Sequence, residues 1–302
     1  MSTKPQIVLL TGATAGIGRT TALYLAGQGH HVIATGRRVA QLEALRAEAV
    51  AKQLPGKLDV TPLDVTSLES IDRAVVEVNR LTAGYGVDVL INNAGFGLLG
   101  PMSEIGDAEL RRQFDTNVFG LMAVTRAFLP AMQARRAGKL INVSSVGGRI
   151  TLPYFGAYNG TKYAVESFSD ALRYELRPFG IHVVVIEPGA IRTNFGDTAM
   201  TSVNAYDDTV YGAALAKADQ MRARMESTAA APETVARGIA RAIRRRRPAA
   251  RYVLPYFNSG VFVLRALLPQ RAWDWAMRRL GYLSPRLLDA RPTEALPSPT
   301  AS

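Results

Sequence analysis

The chain has 302 residues, 48% of them hydrophobic, with a mean hydropathy of +0.04 and a formal net charge of +11. This supports one large buried core with an extension, and the absence of cysteine excludes disulfides and thiolate catalysis. No apolar run reaches the length of a membrane-spanning helix. The N-terminal run Ile7 to Leu10 leads directly into glycine and does not read as a signal peptide.

The positive charge is unevenly placed. From Arg237 to Ser302 there are thirteen arginines, no lysine and three acids (Asp274, Asp289 and Glu294), a net +10 that leaves +1 for the preceding 236 residues. The basicity belongs to a C-terminal segment and no recognised nucleic-acid module accompanies it, so nucleic acid is not the expected partner.

In chain order, Gln6 to Leu10 reads as a short strand ending at Thr11-Gly12-Ala13-Thr14-Ala15-Gly16-Ile17-Gly18, and Thr20 to Gly29 reads as a helix. Glycines between a strand and a helix let the backbone approach a pyrophosphate. The helix start supplies free N–H groups and a favourable dipole. The next strand, His31 to Thr35, ends in Gly36-Arg37-Arg38. In dinucleotide-binding folds this strand end meets the adenosine ribose, where an acid suits NAD and an arginine neutralises the 2′-phosphate of NADP. No acid stands here and two arginines follow, so NADP(H) is the expected cofactor and NAD(H) the alternative.

A helix from Val39 to Gln53 is broken at Pro55-Gly56, and a strand from Leu58 to Leu63 ends at Asp64-Val65. Helix Ser67 to Leu81 and strand Val87 to Ile91 lead into Asn92-Asn93-Ala94-Gly95. A helix containing Asn117 runs through Phe128, and strand Lys139 to Val143 feeds Ser144-Ser145. Helix Gly156 to Arg177 carries Tyr158 and Lys162, and strand Ile181 to Ile186 ends in Glu187-Pro188-Gly189. This alternation predicts an α/β fold with a parallel sheet covered on both faces, doubly wound in the Rossmann manner. The unusual residues fall just past strand C-termini, the edge where such sheets bind ligands.

From Arg192 to Thr228 the pattern loosens around Phe195, Met200, Tyr206, Tyr211, Met221 and Met225. Both a lid over a substrate and a self-packed surface excursion fit it. Pro232 to Arg244 reads as a helix, Arg244 to Arg247 as a basic run and Arg251 to Tyr256 as a last strand. Gly260 to Leu268 and Pro269 to Leu280 read as two further helices. The division expected is a catalytic domain over 1–256, a basic helical extension over 257–291 and a disordered tail over 292–302. Trp273, Ala276, Met277 and Leu280 share one helix face, with Arg271, Arg278 and Trp275 opposite. Packing of that face over the cleft or a neighbouring subunit is favoured over peripheral contact with an anionic membrane.

Tyr158 and Lys162 lie four apart, so they project from one helix face. A phenol titrates near pH 10, and bringing it to neutrality takes about 4 kcal/mol. An ammonium about 4 Å away supplies about 4 kcal/mol at an effective dielectric of ~20, so Lys162 can make Tyr158 an acid or base near neutral pH. Taken alone, the pair also fits a solvated helix surface; Ser145, the glycine loop and Asn92–Gly95 give it chemical meaning. Hydrolase chemistry is disfavoured, since Ser145 lacks the glycine two positions earlier that a nucleophile elbow requires. His30, His31 and His182 have no carboxylate or cysteine pattern and read as structural; no metal is expected.

Together, Thr11–Gly18, Asn92–Gly95, Asn117, Ser145, the Tyr158-to-Lys162 spacing and Pro188-Gly189 with Thr193 resemble the short-chain dehydrogenase/reductase family over roughly Gln6 to Tyr256. The resemblance implies interconversion of a carbonyl and an alcohol by hydride transfer, with Tyr158 as proton donor during reduction. It implies that Ser145 polarises the carbonyl oxygen, that Lys162 bonds the nicotinamide ribose and lowers the phenol pKa, and that Asn117 positions a water for proton relay. Thr11, Gly12, Gly16, Ile17 and Gly18 would line the pyrophosphate. Asp64 and Val65 would meet the adenine, Asn92, Ala94 and Gly95 the adenosine-side ribose, and Pro188, Gly189 and Thr193 the nicotinamide. Family members that prefer NADP often carry a basic residue inside the glycine loop, where this chain has Ala15, so that preference rests on Arg37 and Arg38.

The extension and the bulky residues after Arg192 resemble the hydroxysteroid and retinol dehydrogenase branch, which implies a lipophilic carbonyl or alcohol as substrate. A homo-oligomer is expected, in the cytoplasm or peripheral to the inner face of a membrane. The competing reading is a catalytically silent NADP(H)-binding sensor or scaffold.

Overall fold

The computed structural model describes residues 4–193, 195, 206, 208–217, 220, 223, 227–284 and 288. Among them the strands are β1 (Ile7–Leu10), β2 (His31–Gly36), β3 (Lys57–Pro62), β4 (Val89–Asn92), β5 (Gly138–Val143), β6 (Ile181–Pro188) and β7 (Arg251–Leu254). They form one sheet in the order β3-β2-β1-β4-β5-β6-β7, with every neighbouring pair parallel. The helices are α1 (Gly16–Gly27), α2 (Val39–Ala51), α3 (Leu68–Leu81), α4 (Asp107–Phe114), α5 (Leu121–Arg135), α6 (Gly156–Leu176), α7 (Gly212–Leu215), α8 (Pro232–Arg244), α9 (Ser259–Leu267) and α10 (Gln270–Leu280). This is the doubly wound arrangement expected from the sequence. The strand order reverses between β1 and β4, which opens a crevice past their C-terminal ends.

Period-two side-chain alternation sorts each strand between two cores. Val8 and Leu10, Val32 and Ala34, Val89 and Ile91, Ile141 and Val143, and Val184 and Ile186 pack with Ala22 and Leu25 of α1, Leu45 of α2 and Ile239 of α8. The residues that alternate with them, Leu9, Ile33, Leu90, Leu140 and Val183, pack with Ile71 of α3, Phe128 of α5 and Leu172 of α6. Burial on both faces accounts for the nearly unbroken apolar strands.

Two elements differ from the sequence reading. Helix α1 begins at Gly16 rather than Thr20, so the last glycines of the loop are its first turn. The single helix expected around Asn117 is instead α4, a wide π-helical turn over Asp115–Gly120, and α5. Such turns insert an extra residue into a helix and redirect the side chains beside it.

In the extension the tryptophan face of α10 is covered by the rest of the chain. Trp273 is buried, and Ala276, Met277 and Leu280 are half-buried. The Tyr154 hydroxyl donates to the Gly281 carbonyl at 2.9 Å. Helix α9 differs: none of its residues is buried, and Val263, Leu264 and Leu267 are exposed. Among the described residues no helix is long and apolar enough to cross a membrane. The tail from Pro292 onward lies outside the described residues, as do Met200, Met221 and Met225 of the expected lid.

Candidate active site

The glycine loop leaves β1 at Thr11 and turns against the segment that follows β4. Thr11 Oγ1 accepts from the N–H groups of Asn93 and Ala94, both at 3.0 Å, and Asn93 Nδ2 donates to the carbonyls of Thr11 (3.0 Å) and Gly12 (3.1 Å). Gly12 has φ +70°, and a Cβ there would lie 2.8 Å from Ala94 Cα. Only glycine satisfies both that dihedral and that approach. The residue before α1, Ala15, makes no side-chain cap, and the first turn, with Gly16, Ile17 and Gly18, holds no acid. The helix therefore presents an uncapped N-terminus suited to an anion.

On the β2 side, Arg37 and Arg38 are exposed. Arg38 Nη2 donates to Thr14 Oγ1 at 3.1 Å, which brings its guanidinium to the glycine loop. Arg37 acts electrostatically on Asp64. Burial opposes ionisation of Asp64, but bonds from the Thr66 N–H and hydroxyl and the Arg37 charge outweigh it and hold the carboxyl below its ordinary range. The turn is fixed from α3: Ser67 Oγ accepts from Ser70 N–H (3.2 Å), and Ser70 Oγ accepts from Asp64 N–H (2.9 Å). Val65 is buried and packs toward Gly120.

Asn92 is placed differently from Ala94 and Gly95. Its side chain is buried in the sheet, donating to Thr125 Oγ1 at 2.9 Å and Asn142 Oδ1 at 3.0 Å. Asn117 is also occupied within the protein. Its Oδ1 accepts from Phe96 N–H (3.1 Å), and its Nδ2 donates to the Phe96 carbonyl (2.9 Å) and to Thr161 Oγ1 (3.2 Å). The π-helical turn thereby ties the chain after β4 to α6.

Ser145, Tyr158 and Lys162 come together past the end of β5. Ser145 Oγ accepts from Gly147 N–H at 3.0 Å and donates to the Pro188 carbonyl at 3.4 Å. Lys162 Nζ donates to the Val143 carbonyl at 2.9 Å and lies 5.6 Å from the centroid of the Tyr158 ring. Thr193, from the segment after β6, packs against Gly16, with its Cβ 3.3 Å from where a Gly16 Cβ would stand.

The electrostatics correct one expectation. Burial pushes the Tyr158 phenol up to about 12, and a hydrogen bond with Ser145 offsets this only in part. Lys162 does not bring it to neutrality here. Burial also pushes Lys162 down to about 8, with Glu166 acting in the opposite direction. The same dry surroundings disfavour both charged forms, so at neutral pH the phenol is protonated and able to donate.

A third apolar cluster adjoins the phenol. Leu98, Leu99, Ile105, Tyr154, Phe155 and Tyr206 form its buried part, with Leu152, Tyr158 and Tyr211 packed against it. The Phe195 ring stands 5.3 Å from the Tyr158 ring. Tyr158 thus has a polar neighbourhood, with Ser145 and Lys162, and an apolar one.

The short chain dehydrogenase family profile matches residues 6–203. The chain belongs to the short-chain dehydrogenase family. It is an oxidoreductase of CH–OH and carbonyl groups that uses a nicotinamide cofactor. Over 269 residues the dehydrogenase is 39% identical to the uncharacterized oxidoreductase YbbO of Escherichia coli (strain K12), covering 88% of this chain and 92% of that protein. It is 32% identical over 276 residues to the 3-ketodihydrosphingosine reductase of Bacteroides thetaiotaomicron, covering 91% and 97%. A short-chain dehydrogenase from Streptomyces avermitilis superposes with a TM-score of 0.72 at 34% identity, covering 91% of this chain and 99% of that one. A variant of the actinorhodin polyketide ketoreductase, solved with NADPH, superposes with a TM-score of 0.70 at 29% identity, covering 84% and 97%.

Tertiary structure supplies several residues that sequence reasoning did not separate out. Asn93 fastens the glycine loop, Thr161 fixes Asn117, and Phe195 faces Tyr158. Asn93 carried a signal, since it stands among the motif residues Asn92 to Gly95. Phe195 stood only among the bulky residues of the candidate lid, with nothing to aim it at Tyr158, and Thr161 carried no signal, because its partner lies far away in sequence. The three histidines sit at the N-terminal side of the sheet, away from this site. His31 Nε2 meets Asp59 at 2.8 Å on the neighbouring strand, and the Gln6 N–H donates to His30 Nδ1 at 3.1 Å.

Proposed function

We propose that the enzyme is an NADP(H)-dependent reductase of lipophilic ketones, with Tyr158 as the proton donor. The reading is carried by the position of Tyr158, between Ser145 and Lys162 on one side and an apolar cluster on the other. The uncapped α1 start and the close glycine loop fit a dinucleotide pyrophosphate, and Arg37 and Arg38 fit a 2′-phosphate. When bound, NADPH supplies the hydride that reaches the carbonyl carbon. Tyr158 transfers its hydroxyl proton to the carbonyl oxygen, which Ser145 orients, and the product is a secondary alcohol. Lys162 holds the ribose and stabilises the tyrosinate left behind. Ala94, Gly95 and the main chain of Asn92 border the adenosine-side ribose, and Pro188, Gly189 and Thr193 the nicotinamide. Asn117, whose side chain is committed to Phe96 and Thr161, orders the site wall. The likeness to a 3-ketodihydrosphingosine reductase agrees with an apolar substrate.

The test is NADPH consumption across straight-chain methyl ketones of increasing length. Each buried methylene contributes about 0.8 kcal/mol, so kcat/KM should rise about fourfold per methylene until the pocket is filled. A flat series overturns the lipophilic reading. NADPH binding with no turnover of any carbonyl would favour the sensor alternative.

Peripheral membrane contact is a second reading, favoured by one observation: Tyr256, Phe257, Val263, Leu264, Leu267 and Trp275 are all exposed, in the most arginine-rich part of the chain. It assigns the contact to α9 rather than to the Trp273 face. Co-sedimentation with anionic vesicles at low salt, lost in Leu264→Glu/Leu267→Glu, supports it; no binding at low salt removes it. Light scattering in solution tests whether the same face joins two copies of the chain.

A further inference from the structure

The mechanism leaves a buried charge cluster behind the active site unused. Glu166 lies one helical turn beyond Lys162 on α6 and is 7% exposed; Glu187 on β6 is fully buried. Arg251 on β7 joins them: its Nε lies 3.0 Å from Glu166 Oε2 and 3.2 Å from Glu187 Oε1, and its Nη2 lies 2.8 Å from Asp170 Oδ2. Arg149, after β5, reaches Glu187 Oε2 at 3.3 Å. The main chain closes over this cluster at Gly148, where a Cβ would lie 3.0 Å from Glu166 Cγ and 2.7 Å from Ser144 Oγ.

Two acids this deep in a protein are costly unless they are paired. Arg251 and Arg149 supply the pairing, and Glu166 also stands one helical turn from the buried Lys162 on α6. The groups facing the cluster are Lys162 and Asp170 from α6, Ser144 and Arg149 from the β5 side, Glu187 from β6 and Arg251 from β7. Lys162 makes no direct ion pair with Glu166, and its hydrogen bond goes to a neutral carbonyl. The acid therefore acts on it across a low-dielectric interior, where charges are felt over a longer range than at a surface.

We propose that Glu166 is a positioning residue that keeps Lys162 charged, its carboxylate fixed by Arg251 and sealed from water by the turn at Gly148. Burial alone would favour the neutral amine, which could neither hold the nicotinamide ribose as a cation nor stabilise a tyrosinate. Glu166 supplies the opposing charge from a point where it does not compete for the ammonium protons. The purpose of this device rests on the reductase reading, whereas its test is independent of it.

The chain has six lysines, so the titration of Lys162 can be followed by NMR in ¹³C-lysine-labelled ligand-free protein, with Lys162→Met assigning the signal. In Glu166→Gln the midpoint should fall by about one pH unit or more, and in Glu166→Asp by less. Asp170→Asn removes another Arg251 partner and should lower thermal stability while leaving the midpoint in place. An unchanged midpoint in Glu166→Gln, or an equal fall in Asp170→Asn, overturns the proposal. If Glu166→Gln does not fold, Glu166→Asp carries the test, and a midpoint equal to that of the parent overturns it. Because neither NADPH nor substrate is used, failure here is distinct from failure of the reductase reading.

Discussion

Lys162 Nζ donates to the carbonyl of Val143 at 2.9 Å, which ties the ammonium of α6 to the last residue of β5. That bond fixes where the charge stands relative to Ser145, two residues further along the chain, and to Tyr158, one turn earlier on the same helix. Three chemically different groups thus share one frame set by a strand end and a helix.

Replacing Tyr158 by phenylalanine removes the proposed proton donor and keeps the ring that packs beside Phe195. NADPH affinity, measured by fluorescence titration, should be close to that of the parent. Turnover should fall by about 10²–10⁴. Near-normal turnover would exclude Tyr158 as the acid.

Lys162 gives the fold a pH dependence whose sign follows from its pKa, about 8 in the folded protein against an ordinary 10.5. Between these values the unfolded chain binds more protons than the folded one, so this group's contribution to stability rises with pH from about 8. Below that, the buried charge costs about 3 kcal/mol relative to high pH. Lys162→Met should therefore be more stable than the parent at pH 7, with an advantage that shrinks by about 2 kcal/mol by pH 10. Denaturant titrations at the two pH values measure the difference.

Arg37 and Arg38 are expected to recognise the 2′-phosphate. A charge-assisted hydrogen bond contributes about 1.5–3 kcal/mol, so Arg37→Ala/Arg38→Ala should raise KM for NADPH by about tenfold or more while leaving KM for NADH nearly unchanged. Equal losses with both cofactors would show that the arginines only order the glycine loop, through the Arg38–Thr14 bond.

Gly12→Ala tests the cradle. The left-handed backbone costs a non-glycine residue about 1–2 kcal/mol, and the new methyl would press on Ala94 Cα. NADPH binding should be lost while the far-UV circular dichroism of the sheet and helices persists; retained binding would mean that the loop can move without harm.

The layering of this fold was readable from the sequence because it depends on local periodicity. Short apolar runs alternating with helical patterns leave few ways to bury both faces of a sheet, and right-handed crossovers choose among them. The positions of Tyr158, Lys162 and Ser145 were readable for the same reason, since helix spacing and a strand end fix where they project. What burial does to them was not. The sequence reading placed the phenol near neutrality from the charge of Lys162, whereas the folded protein pushes the phenol up to about 12 and the lysine down to about 8, because desolvation depends on what surrounds a group from every direction.

Sequence alone therefore determined the family and the sheet, and order and spacing along the chain are what put Ser145, Tyr158 and Lys162 forward as the reacting side chains. Tertiary structure alone decided that Asn92 faces the sheet interior, that Asn117 is held by Phe96 and Thr161, and that the tryptophan face of α10 is covered while α9 is bare. It also brought Arg251, eighty-five residues away in sequence, onto Glu166 behind Lys162. Such pairings arise from the crossing of distant elements, and neither periodicity nor residue type encodes which elements will meet.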